Sequence, residues 1–173
     1  AARVAVLRLM IPNMSSFFEL TEGCSVGEIN APTVFNSGFN FKQFWDGRAD
    51  TLEQQIDGPV QHPKELGSNW PEIIAKLGQS ADYRRRFADI YRDGIQAANI
   101  KDAIATFERA LVTLNSRFDR HLRSDARVLT AAELEGYRLF KSYGCVACHQ
   151  GVNIGGNMFA RFGVMRDYFK DRG

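Results

Sequence analysis

Residues 133–151 read ELEGYRLFKSYGCVACHQG, and within them Cys145-Val146-Ala147-Cys148-His149 forms a C-x-x-C-H run. That spacing is the attachment pattern of a c-type haem. Two thiols about one helical turn apart can each add across one vinyl group of the same porphyrin. The histidine beside the second thiol then lies under the ring, where a neutral imidazole nitrogen can bind iron. The rival chemistries lack parts. A structural zinc site needs four ligands, and the only other cysteine, Cys24, lies far upstream. A thioredoxin-like C-x-x-C needs a βαβ setting, whereas the approach here is helical. Thr130 and Glu133 make a T-x-x-E capping box, Leu134, Tyr137 and Phe140 recur at helical spacing, and Gly144 supplies a C-terminal stop. The stretch is therefore an amphipathic helix delivering a ring-binding loop. Gly151, Gly155 and Gly156 beyond it let backbone lie close to a flat cofactor.

Working outward, the 173 residues are 45% hydrophobic and 24% charged, with a net charge of +2. This is the balance of a globular protein, long enough for one domain or parts of two. No basic run is long enough to make a phosphate-binding stripe, so nucleic acid is not a partner. No run of about 18 apolar residues spans a membrane. The opening AARVAVLRLMIP is short, carries two arginines and lacks an A-x-A-like site, so it does not read as a signal peptide. With two of three cysteines given to haem, Cys24 is left unpaired and disulfides do not hold the chain together. Bacterial thioether attachment of haem takes place outside the cytoplasm. The expectation is an exported protein whose leader is absent.

Residues 1–23 are apolar without a clean period and stop at Pro12. From Cys24 to Gly47 the chain is rich in Gly, Asn, Pro and aromatics, and predicts a long ordered loop packed by Phe35, Phe39, Phe41, Phe44 and Trp45. Asp50 and Glu53 predict the start of a short helix carrying Leu52, Gln55 and Ile56, ended by Gly58-Pro59. Pro71 suits a first helical position, with Ile73, Ile74 and Leu77 on a buried face, and Ser80 caps a helix bearing Tyr83, Phe87 and Ile90. Asn99 precedes the clearest period, Ile100, Ile104, Phe107, Leu111 and Leu114. Each of those side chains is worth about 1.5–3 kcal/mol on burial, so this helix is expected in the core. Residues 115–130 read as a linker. The fold class is mainly α, with long ordered loops and little or no sheet.

From Asn30 onward the chain carries NAPTVFNSGFNFKQFWDGRADTLEQQ, GPVQHPKELG, FERALVT, SRFDRHLR and GYRLFKSYGCVACHQGVNIGGNMFARFGV. These resemble the bacterial di-haem cytochrome c peroxidases and their relatives. The resemblance implies two mostly helical cytochrome-c-like haem domains with a calcium ion between them. Residues 1–115 would be the remainder of the peroxidatic domain, and 116–173 the start of the electron-transfer cytochrome c domain. It implies reduction of hydrogen peroxide to water in the periplasm, with electrons from a small cytochrome c or copper protein, and it allows a homodimer. Cys145, Cys148 and the iron ligand His149 match the motif of the electron-transfer haem. Trp45 matches a tryptophan between the haems, Gln55 and Glu65 match two residues of the peroxidatic pocket, and Asn30 matches a calcium ligand. Cleaving a peroxide O–O bond needs a group that takes a proton from one oxygen and returns it to the other, which a carboxylate in an apolar pocket can do. Read alone, Glu65 is a surface-loop residue, Trp45 a core aromatic and Asn30 a turn residue before Ala31-Pro32.

Departures from the family pattern matter as much. Residues 1–29 contain no C-x-x-C-H, and TEGCSVGEIN (21–30) lacks the histidine that many members carry there. His62 reads as a solvated loop residue, His121 as a surface residue, and Met158 and Met165 as core packing, the family's far-face methionine falling beyond Gly173. The chain is expected to be the central portion of a larger enzyme, with one haem motif in hand and a second haem implied. Three functions compete: a peroxidase, a mono-haem electron carrier or truncated remnant without catalysis, and a di-haem oxidase acting on a protein. Trp45, Gln55 and Glu65 favour the first over the second. Lack of an upstream haem motif favours the second for this chain as it stands, and the missing loop histidine leaves the third open. The peroxidase is preferred.

Overall fold

Thr51 opens the helical part of the chain by accepting the backbone N–H of Gln54, which caps a short helix, α1 (Leu52–Gln55). The computed structural model describes residues 31–161, 163, 164, 166, 167 and 170. The cap falls one residue later than predicted: the Asp50 carboxylate pairs with Lys42, and its N–H donates to the Gln54 side chain at 2.9 Å. Gly58-Pro59 does not end the helical run. Ile56 stays right-handed and the chain continues into α2 (Asp57–Gln61). Pro59 sits in the first turn, where its missing N–H has no intrahelical partner to lose.

α3 (Trp70–Gln79) starts with Asn69 as cap and Pro71 in its first turn. α4 (Ala81–Ile90) is capped by the Ser80 hydroxyl, as its sequence predicts. α5 (Ala97–Ala110) begins earlier than expected and encloses Asn99, whose amide donates back to Asp93 and to the Gly94 carbonyl. Leu52, Ile56, Val60, Ile73, Leu77, Phe87, Tyr91, Ile100 and Ala105 form the core of this region. Asp57 ties its elements together by accepting the Trp70 indole N–H at 2.8 Å and pairing with Lys101 at 3.0 Å.

The five-residue stripe predicted for α5 is corrected at its far end. Ile100, Ala103 and Ala105 are the buried positions of the helix, and Leu114 is 75% exposed. The helix stops because Asn36 captures the following backbone. Its N–H donates to the Leu111 carbonyl at 2.8 Å, and its side chain accepts the Thr113 N–H at 3.0 Å.

The chain divides between Thr113 and Leu114 into two compact units. The second holds α6 (Arg117–Leu122), α7 (Ala131–Ser142) and a 3-10 turn at Cys145–Ala147. α6 lies where a linker was predicted. A reciprocal capping box of Ser116 and Asp119 starts it, the same device that Thr130 and Glu133 give α7. Arg117 holds the two starts together with paired 2.6 Å bonds to Glu133. Neither helix buries a residue. Among the described residues no strand forms, only an isolated bridge between Gln43 and Ala49, so the mainly α class holds.

Candidate haem site

α7 reaches Ser142, and Gly144 then takes φ +79°, a left-handed turn that would strain any other side chain. The next residues wind into the 3-10 turn, and the His149 N–H donates to the Cys145 carbonyl at 2.9 Å. Both thiols, Cys145 and Cys148, are free and exposed. The His149 ring is held from behind, its Nδ1 lying 3.2 Å from the Ile154 carbonyl. A carbonyl can only accept, so Nδ1 carries the proton and Nε2 keeps its lone pair for a metal.

Beside this histidine lies a cleft of about 480 Å³, walled by Phe118, Leu122, Tyr137, Phe140, Val146 and Ile154. Its apolar walls have no protein interior to fill them, since α6 and α7 bury nothing. Haem fits these residues: paired thiols, an imidazole of fixed tautomer and an apolar slot of ligand size. The expectation that His121 lies on the surface is corrected. Its ring packs against Phe118 and Tyr137, and its buried Nδ1 has no hydrogen-bond partner among the described residues. Met158 is half exposed, not core, and Met165 lies outside the described residues, as do Asn30 and Cys24.

Trp45, Gln55 and Glu65 belong to the other unit. Trp45 sits on a tight turn closed by the Gln43 N–H donating to Ala49 at 2.8 Å, and it is 62% exposed, so it is no core aromatic. Its neighbour Phe44 is the pinned residue. Arg48 lies 3.5 Å above that ring, and a Cβ on Gly58 would come 2.8 Å from its tip. Gln55 is the half-buried last residue of α1. Glu65 is on an exposed turn, its N–H bonded to the His62 carbonyl at 2.9 Å. His62 is exposed as expected. Its Nδ1 accepts the Lys64 N–H at 3.2 Å and stands 4.0 Å from the Glu65 carboxylate, too far for a hydrogen bond.

Two acids in this unit have environments the sequence did not suggest, Glu53 having been read only as a helix-start residue. Arg109 grips Glu53 at 2.7 Å, and that bond lowers the Glu53 pKa. Burial pushes the Glu108 pKa up, and its Oε2 has no partner among the described residues. Both lie in or beside stretches rich enough in charge to read as solvated. Among the described residues no group of three or more His, Cys, Asp or Glu could hold a metal ion.

Helices, an exposed thiol pair and an apolar slot beside a fixed imidazole together define a helical c-type haem protein. The sequence model of the di-haem cytochrome c peroxidases matches residues 13–127, and the chain belongs to that family. It is 49% identical over 147 residues to a cytochrome c peroxidase of Escherichia coli K12, covering 84% of this chain and 32% of that protein. A cytochrome c551 peroxidase of Nitrosomonas europaea is 47% identical over 144 residues, covering 82% and 43%. A crystal structure of a MauG-like protein associated with microbial copper homeostasis superposes with a TM-score of 0.69 at 30% identity, over 80% of this chain and 45% of that one. The chain thus spans less than half the length of these relatives.

Proposed function

We propose that this chain works in a periplasmic haem peroxidase, reducing hydrogen peroxide to water with electrons from a small cytochrome c or copper protein. The observation that carries the reading is the exposed thiol pair beside an imidazole whose Nδ1 is occupied by the Ile154 carbonyl. Kinship to proteins named cytochrome c peroxidase supports the substrate. A bound haem supplies an iron that takes up and hands on single electrons. Cys145 and Cys148 would tether it, the His149 Nε2 would ligate it, and Phe118, Tyr137 and Phe140 would shield it from water.

In the other unit, Glu65 moves a proton between the two peroxide oxygens, with Gln55 holding the substrate by a hydrogen bond. Trp45 serves as the aromatic relay for electrons. Residues 1–115 belong to the peroxidatic domain and 116–173 to the electron-transfer domain in this reading. Calcium at Asn30 is proposed on sequence likeness alone, and no step rests on it. A homodimer is the proposed assembly, which light scattering on the purified protein would check.

One observation favours a mono-haem carrier instead: the sequence holds a single C-x-x-C-H. The oxidase reading draws on 31% identity to a methylamine utilization protein MauG. Haem per polypeptide, measured by pyridine haemochrome alongside peroxide consumption with a reduced small cytochrome, separates them. Two haems with turnover support the peroxidase. One haem without turnover supports the carrier, and two haems without peroxide consumption support the oxidase.

A further inference from the structure

Three successive residues after the haem motif have positive φ: Ile154 at 52°, Gly155 at 141° and Gly156 at 71°. Glycine adopts such angles freely. A β-branched residue does not, and one found there is an outlier that persists only where its surroundings hold it. Two backbone bonds do the holding here, Ile154 N–H to the Gly151 carbonyl at 3.1 Å and Gly155 N–H to the Gln150 carbonyl at 2.9 Å. The strained angle has a geometric product: the Ile154 carbonyl lies 3.2 Å from His149 Nδ1. The residue that follows is bound by its backbone angle and touches the same histidine. A Cβ on Gly155 would come 3.4 Å from that same nitrogen, at a φ that L side chains avoid. Gly or Asn at position 154 would reach the angle more easily, but neither would give the cleft the apolar wall that Ile154 provides.

We infer that Ile154 and Gly155 are positioning residues: the loop stores backbone strain to fix the tautomer and orientation of His149. This rests on the haem reading above. An N–H donated to a carbonyl leaves the imidazole richer in electrons, which favours the oxidised state of a metal on Nε2 and lowers its reduction potential.

The test uses the intact holoprotein and two readouts, the haem midpoint potential and the solvent-exchange rate of the His149 Nδ1–H. Gly155→Ala should raise the potential by about 59 mV, a tenfold change in the one-electron equilibrium, and should speed the exchange. Gly94→Ala introduces left-handed strain in the other unit, where no atom lies within 4 Å, and should leave both readouts unchanged. If Gly155→Ala leaves both unchanged, the inference is overturned. Should that variant not fold, the stabilities of Ile154→Gly and Ile154→Ala decide. Both lose the apolar wall, but only glycine relieves the strained angle, so the glycine variant should melt higher, and the reverse order overturns the inference. An unaltered protein without covalent haem would sink the haem reading, while the Ile154 order would still decide this one.

Discussion

Glu65 is asked to do acid–base chemistry from an exposed turn, and its own surroundings give no hint of it. Replacing it with Gln keeps its size and removes the ionisable carboxyl group. Peroxide turnover should then fall about 10²–10⁴-fold, the usual worth of a placed acid–base group, with haem content unchanged. Steady-state kinetics beside a haem assay checks this, and full activity removes the assignment. Cys148→Ala should leave haem that is partly or wholly released under denaturing conditions, read by mass spectrometry. The haem residues were legible because C-x-x-C-H spacing is itself the chemistry. Trp45 was not, since residue type alone suggested burial while a closed turn presents it at the surface. The Ile154 angle could not be read at all, because only its bonds to Gly151 and the hold on His149 create it.

At the scale of the element, α7 shows how much a cap contributes. Glu133 is held down to about pH 2, first by the Thr130 backbone N–H and then by the Arg117 guanidinium. Its pKa is lowered on folding from 4.5, so its contribution is present above about pH 4.5 and is lost as pH falls toward 2. Thermal unfolding across that window should decline in the unaltered protein, and Glu133→Gln should lack that part of the decline. An identical acid profile in both would refute the link. Thr130→Ala should cost about 1 kcal/mol by denaturant titration. The Thr130 cap was read from sequence by its T-x-x-E spacing. α6 was passed over although Ser116 and Asp119 offer the same signal, because six residues show no apolar period. In α5 the period ran on past the real end, where Asn36 takes the backbone over.

Across the whole molecule the two units draw stability from different sources. The first has a conventional interior in which Phe87 is fully buried, and Phe87→Ala should cost about 3–5 kcal/mol. The helices of the second bury nothing, so a haem packed against them would couple its binding to their folding. A Cys145→Ala, Cys148→Ala double variant should lose amide-exchange protection over 117–142 while residues 52–105 keep theirs. Equal protection with and without haem would contradict the coupling. Sequence reasoning found the apolar stripe of α7 but not Phe118 and Leu122 of α6, and periodicity cannot tell a stripe meant for protein from one meant for porphyrin.

The Phe44 ring, wedged between Arg48 and bare Gly58, makes distant parts of the chain heritable only as a pair. A methyl gained at 58 forces the half-buried ring to shift and meets no such clash once the ring is gone. Gly58→Ala should therefore do less damage in a Phe44→Ala background than alone. Losing the aromatic first opens the way to a larger residue at 58.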